Sequence, residues 1–315
     1  MLRKSRDTVH VGRDGWLFLT GGSNRALDQY GGGLLRWWHL RRWARLIEAR
    51  TARAAGLGIR CVHAIVPAKL SVYDNMTRDL AYDPGRASTR LLARRLMGLP
   101  GYVDLLTPFR AARDGPVPLY QRTDTHWTVD GCLLAYREVM RALGAVPPAD
   151  IGERPRFDLD LVRDLGGKLP GAPRETATHW DLQRHAVRRY ANALVEAHEA
   201  AGRGDAPHTG AHVIYRNAGP GIDPRRLVLF GDSFAHFAPI LLTGLLAESF
   251  AEVHFVWSAH LDWEYIERVR PDALVVELAE RFLARLPKDD FDVVAGRRRG
   301  VPARGAGPAA RARAA

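Results

Sequence analysis

Two short stretches carry residue types able to make and break an ester. In Arg226-Leu-Val-Leu-Phe-Gly231-Asp232-Ser233-Phe234 an apolar strand runs straight into Gly-Asp-Ser. A serine hydroxyl attacks a carbonyl carbon only once a base takes its proton, and the base needs a carboxylate to orient it. Thr123-Asp124-Thr125-His126-Trp127-Thr128 supplies both. In an extended segment residues two apart project to the same side, which would set Asp124 alongside His126 and fix its tautomer. Each stretch alone has an ordinary reading. Asp-Ser is a good helix N-cap, and a histidine at a strand end is often simply hydrogen-bonded. Found together, they point to acyl chemistry with Ser233 as nucleophile, His126 as base and Asp124 as its orienter.

The surrounding residues extend this picture. Gly231 would permit a sharp turn, and a helix expected from Phe237 would put Ser233 near a helix N-terminus. The Ser233 backbone N–H could there hold an oxyanion. Trp127 would wall the pocket and lower its polarity. Lys69, just past a strand end, could meet an anion or make a surface ion pair. Glu280 and Arg281, after the last strand, could orient the site or simply pair with each other. His236 would face substrate from the following helix but has no carboxylate beside it in sequence. His208 and His212 have a spacing that binds metal on a helix, but they lie among Gly and Pro, so no metal site is expected. No cofactor is expected either.

These residues need a scaffold. Val9–Thr20 reads as strand and turn around Arg13-Asp14-Gly15. Residues 34–55 read as a helix with Trp37, Leu40, Ala44 and Ile47 on one stripe. Its arginines and tryptophans also fit a helix lying on a membrane, although a core-packed helix is the commoner case. Cys61–Pro67 is a buried parallel strand. Further elements are expected as a helix over Ser88–Met97, a strand over Tyr102–Leu106 and a helix over Gly131–Leu143. Residues 150–222 read as an insertion with a helix near Leu182–Ala201. Regular alternation then returns: strand Leu227–Phe230, helix Phe237–Ala247, strand Val253–Trp257, helix Glu264–Val269 and strand Ala273–Leu278. This order predicts an α/β domain over residues 9–290 with a mostly parallel sheet flanked by helices.

Composition sets outer bounds. Of 315 residues, 46% are hydrophobic and 26% charged, which suits a globular domain. The net charge of +11 would suggest nucleic acid, but six of the arginines stand after Gly296 in a tail rich in Ala, Gly and Pro. The tail, residues 296–315, is expected to be disordered and lacks any nucleic-acid recognition motif. Cys61 and Cys132 are expected to be free, buried thiols. No apolar run reaches transmembrane length. The opening MLRKSRDTVHVGRDGWLF has neither an apolar h-region nor a small-residue cleavage site, so no secretion signal is expected.

Five segments together resemble the alginate O-acetyltransferase family (AlgX/AlgJ type) within the SGNH-hydrolase-like superfamily. They are VGRDGWLFL (11–19), VPAKLSVY (66–73), TDTHWT (123–128), LVLFGDSF (227–234) and PDALVVELAERFL (271–283). Their order, Asp-x-His before Gly-Asp-Ser, is the family's own and the reverse of ordinary SGNH esterases. The resemblance implies a three-layer SGNH-hydrolase-like fold and the same roles for Ser233, His126 and Asp124. It also implies O-acetyl transfer to polysaccharide hydroxyls in the periplasm, with an acyl donor relayed by a membrane-bound O-acyltransferase. Without a secretion signal the expectations for location are the cytoplasm if the start is correct, a misplaced start, or a partner that supplies location. The superfamily's oxyanion-hole asparagine is not assigned by motif; Asn192 and Asn217 are the possible donors, with ordinary turn or surface roles as the alternative. Acceptor choice is expected to lie in residues 150–222. A carbohydrate acetyl esterase and a non-catalytic glycan-binding or scaffold subunit are the alternatives.

Overall fold

The computed structural model describes residues 8–203 and 209–300. Along the chain it runs β1 (Val9–Val11), β2 (Leu17–Leu19), α1 (Leu34–Gly56), β3 (Arg60–Val66), α2 (Lys69–Val72), α3 (Ser88–Arg95), β4 (Tyr102–Val103), α4 (Leu106–Ala112) and α5 (Val129–Leu143). It continues with β5 (Arg156–Val162), β6 (Arg174–Trp180), β7 (Val187–Ala191), α6 (Ala193–Ala200), β8 (His212–Arg216) and β9 (Asp223–Gly231). Last come α7 (Leu242–Ala247), β10 (Phe250–Trp257), α8 (Trp263–Val269), β11 (Ala273–Ala279), β12 (Phe291–Asp292) and β13 (Arg297–Arg298).

Seven strands make the central sheet in the order β4-β3-β11-β9-β10-β8-β7. The first five run parallel, and β8 and β7 extend the sheet antiparallel. Side chains alternate across a strand, so each strand feeds two cores. Val62, Ala64 and Val66, with Leu227 and Leu229, pack on the side of α5 and α7. Cys61, Val228, Phe230, Leu274 and Val276 face Ile266 of α8, while Ile65 and Leu278 face Leu40, Ala44 and Ile47 of α1. The result is a three-layer α/β/α domain, as expected, with both cysteines free and buried.

Several local expectations need correction. The strand from Tyr102 stops at Val103, because Leu106 already opens α4. The stretch Leu182–Ala201 is not one helix: Val187–Ala191 pairs with β8, and only Ala193–Ala200 is helical. Within the expected insertion, β7 and β8 therefore belong to the central sheet, and β5–β6 form a separate antiparallel hairpin. The stripe on α1 buries Leu40, Trp43, Ala44 and Ile47 but leaves Trp37 at the surface. Arg297 and Arg298, expected in a disordered tail, form β13 against β12. Arg298 pairs with Asp290, and Arg299 with Asp262 and Glu264. Residues 301–315 lie outside the described residues, as does His208.

Candidate active site

β9 ends at Gly231 in the middle of the sheet, at the carboxyl edge where open α/β folds bind their ligands. The chain turns there, and Asp232 fixes the turn. Its Oδ1 accepts the Phe234 N–H (2.9 Å) and its Oδ2 the Ala279 N–H at the end of β11 (2.8 Å). One carboxyl group thus ties the residue before Ser233 to the residue before Glu280 and Arg281. Gly231 is present for close approach rather than for a left-handed turn. A Cβ there would come within 3.0 Å of both Glu277 Oε2 and Ala235 Cβ. The helix expected to follow starts only at Leu242, and His236 sits at φ 62. Ser233 therefore does not stand at the N-terminus of a helix. Its backbone N–H nonetheless makes no hydrogen bond among the described residues.

Ser233 Oγ lies 2.7 Å from His126 Nε2, and His126 Nδ1 lies 2.7 Å from Asp124 Oδ1. These side chains come from segments 107 residues apart. Their pairing does not arise from strand alternation, because residues 121–127 are mostly turns. Asp124 Oδ1 also accepts the His126 backbone N–H (3.0 Å), a local Asx-type turn that brings carboxylate and imidazole together. The loop is held at both ends by Gln121 N–H donating to the His126 carbonyl (3.1 Å) and Thr128 N–H to the Leu119 carbonyl (2.9 Å). Burial opposes ionisation of Asp124, yet His126 and then Arg163 outweigh it and hold the carboxyl well below the usual range.

Arg163, whose Nε lies 3.1 Å from Asp124 Oδ2, was not legible in the sequence. Nor was Asp164, which accepts the Thr125 N–H (2.8 Å) and hydroxyl (2.7 Å). Burial and the nearby Asp124 charge raise the Asp164 carboxyl. Both residues follow β5 in a stretch without periodicity, so no motif signalled them. Asp124, His126 and Asp164 are near enough to share a metal ion, but hydrogen bonds and the Arg163 ion pair already engage their ligand atoms.

The weaker candidates separate clearly. Arg281 reaches the site: its Nη2 donates to Ser233 Oγ (3.2 Å) and its guanidinium lies over Phe234 and Phe282. Glu280 turns inward instead. Its two oxygens accept from Ala68 N–H, Ser71 Oγ, Thr89 N–H and Thr89 Oγ1 at 2.6–3.0 Å. Lys69 is buried and bonds the carbonyls of Leu17 (2.8 Å) and Arg122 (3.1 Å), tying the β1–β2 hairpin to the Asp124 loop. Burial draws its amine down to about 7 against the pull of Asp124, Asp164 and Glu175. Trp127 packs beneath the site, edge-on to Phe234 at 5.0 Å, rather than lining a pocket. His236 stacks on Phe237 and accepts the Ala238 N–H. Asn192 caps α6, and Asn217 bonds Ala247 and Gly219. His212 contacts Tyr265 in the sheet region.

Two predictions follow from the acids around the turn. Glu280→Ala leaves four inward-pointing donors without their acceptor, and unfolding free energy in urea should fall by about 3 kcal/mol or more. A smaller loss than for an ordinary surface Glu→Ala would contradict this role. Glu277, fully buried under Gly231, accepts the Asp232 N–H (3.0 Å). Burial and the Asp232 charge push its carboxyl well above the ordinary value of 4.5. A raised acid binds more protons folded than unfolded, so its contribution is complete below 4.5 and is lost as pH rises through the window above it. Glu277→Gln mimics the protonated form and should flatten this decline. Melting temperatures at pH 5 and pH 8 would test it, and equal slopes for the two proteins would count against it.

A narrow, mainly apolar cavity of about 40 Å³ adjoins Arg281 and Phe234, walled by Leu19, Tyr30, Val66 and Leu165. A family model for the SGNH hydrolase-like domain of the acetyltransferase AlgX matches residues 9–204. The chain belongs to this family. The match includes Asp124 and His126 and stops short of Ser233. Among curated proteins, the probable alginate O-acetylase AlgJ of Pseudomonas fluorescens is 28% identical over 163 residues, 50% of this chain and 38% of that relative's length. Among solved structures, Bacillus cereus PatB1 superposes with a TM-score of 0.59 at 16% identity, covering 89% of this AlgX-family chain and 98% of PatB1. The O-acetyltransferase domain of Pseudomonas putida AlgJ gives 0.54 at 18% identity, covering 91% and 97%. These likenesses confirm the SGNH-like fold. Among the described residues, no helix is long and apolar enough to cross a membrane.

Proposed function

We propose that this chain is a serine-dependent O-acetyltransferase acting on glycan hydroxyls through an acetyl-Ser233 intermediate. The observation that carries the reading is the line Asp124–His126–Ser233, with both links at 2.7 Å. Ser233 Oγ attacks the donor's carbonyl carbon while its proton passes to His126 Nε2. Asp124 accepts the Nδ1 proton's hydrogen bond and stabilises the imidazolium. The free N–H of Ser233 and the Arg281 guanidinium stabilise the oxyanion. Collapse expels the donor's leaving group, which takes the proton from His126. A sugar hydroxyl then gives its proton to His126 and attacks the acetyl carbon, and Ser233 leaves with that proton restored.

The small cavity beside Arg281 suits an acetyl methyl. We assign the acceptor to the broad groove walled by Gln121, Arg122, Thr128, Arg174 and Thr178, which flanks the Asp124–His126 loop and includes β6 from the 150–222 span. The donor would be handed over by a membrane-bound O-acyltransferase. An esterase is the second reading, favoured by one observation: the His126 side chain is 24% exposed, so water can reach it. Incubation with a chromogenic acetyl ester, followed by peptide mass spectrometry, should find acetyl on Ser233. Acetylated sugar formed with oligosaccharide acceptors supports transfer, and acetate release indifferent to acceptor supports the esterase. No adduct and no ester turnover would sink both.

A further inference from the structure

The first turns of α1 are unlike the rest of the surface. Leu34, Leu35, Trp37 and Trp38 are 42–87% exposed, and Met97, just beyond α3, is 80% exposed. Solvent-facing apolar side chains in one cluster, unlike scattered ones, mark an interaction surface. Positive charge dominates the helices that carry the cluster. α1 holds six arginines and one acid, Glu48, and α3 holds three arginines and no acid. Arg53 and Arg86 are ion-paired to Glu267 and Asp83. Arg41, Arg42, Arg45, Arg94 and Arg95 have no carboxylate partner among the described residues. Arg41 lies over the rings of Trp37 (4.7 Å) and Trp38 (5.6 Å), and Arg95 over Trp37 (5.5 Å). A groove lined by Arg36, Arg86, Arg94 and Arg95 opens beside Trp37.

We propose that this face, the N-terminal half of α1 with α3, docks onto an anionic phospholipid bilayer. Leucine and tryptophan tips reach the acyl boundary while the arginines meet phosphate headgroups. Charge complementarity selects this occupant: five unpaired cations with no acid among them match a surface that is negative throughout. The placement also fits. α1 leads into β3 through a short turn, so its first residues lie at the carboxyl edge of the sheet, the edge that carries Ser233. His39 Nε2 (2.6 Å) and Trp43 Nε1 (2.9 Å) bond the Leu283 carbonyl, two residues beyond Arg281. Gln29, just before α1, donates to the Arg281 carbonyl (2.8 Å). Docking therefore turns the active-site edge toward the lipid, whatever reaction that edge performs.

The test is co-sedimentation of the full chain with vesicles of phosphatidylcholine alone and of phosphatidylcholine with one third phosphatidylglycerol. Wild type should bind the anionic vesicles and release in high salt. Each basic side chain near such a surface contributes about fivefold to binding. Arg42→Glu/Arg45→Glu/Arg94→Glu should thus weaken binding by at least about a hundredfold. Leu35→Ser/Trp38→Ser should weaken it while keeping its salt dependence. Hydrolysis of a soluble acetyl ester should be unchanged in both variants, which separates this inference from the catalytic one. Equal binding to neutral vesicles, or wild-type binding by the triple variant, would overturn it. So would a dimer in sedimentation analysis that the same variants dissolve, because the face would then belong to a second copy.

Discussion

Ser233→Ala should lower acetyl-ester turnover by at least about ten-thousandfold, and His126→Ala added to it should cost almost nothing more. The two groups act as one unit: the hydroxyl is inert without the base 2.7 Å away, and the base has no proton to take without the hydroxyl. Losses that multiplied in the double variant would mean the residues act separately. Stability provides the control. Ser233 is half-buried, and the substitution removes only its contacts with His126 and Arg281. A shift of about 1 kcal/mol or less is expected in urea. Full activity in Ser233→Ala would end the acyl-enzyme proposal outright.

Much of this site could be read before any coordinates, because its chemistry is concentrated in side chains with few other uses. A serine at the end of an apolar strand and a histidine two residues from an aspartate both stood out, and the structure brings them together. The reasons were less legible than the residues. Asp124 meets His126 through a local turn, which alternation along a strand does not anticipate. The helix expected from Phe237 fails because His236 adopts a left-handed conformation and Pro239 disfavours helical backbone at Ala238 before it. Pro239 was the available signal. β7 was hidden for another reason: Val187–Ala191 has no strand period, and only pairing with β8 makes it a strand. Glu277 was visible as an acid within the apolar run of β11. Its place beneath Gly231 depends on the register with β9, which no local pattern encodes.

Asp124→Asn should cost about a thousandfold to ten-thousandfold in kcat at neutral pH. The size follows from what the carboxylate does here. Oδ1 accepts two N–H groups of His126, at 2.7 and 3.0 Å, and Oδ2 faces the Arg163 guanidinium at 3.1 Å. An asparagine cannot serve both sides. With its oxygen toward His126, its NH₂ opposes Arg163, donor against donor. With its NH₂ toward His126, it opposes the backbone N–H and forces the imidazole into the tautomer that cannot take the Ser233 proton. In either pose the negative charge that stabilises an imidazolium is gone. Arg163 makes the two costs separable. Asp124→Asn/Arg163→Met removes the clash behind the first pose, so it should recover thermal stability relative to Asp124→Asn without recovering kcat. Melting temperature and ester turnover measured on wild type, Asp124→Asn, Arg163→Met and the double variant decide the matter. If the double variant regained activity along with stability, Asp124 would be holding the loop in place, and the base at Ser233 would need another source of orientation.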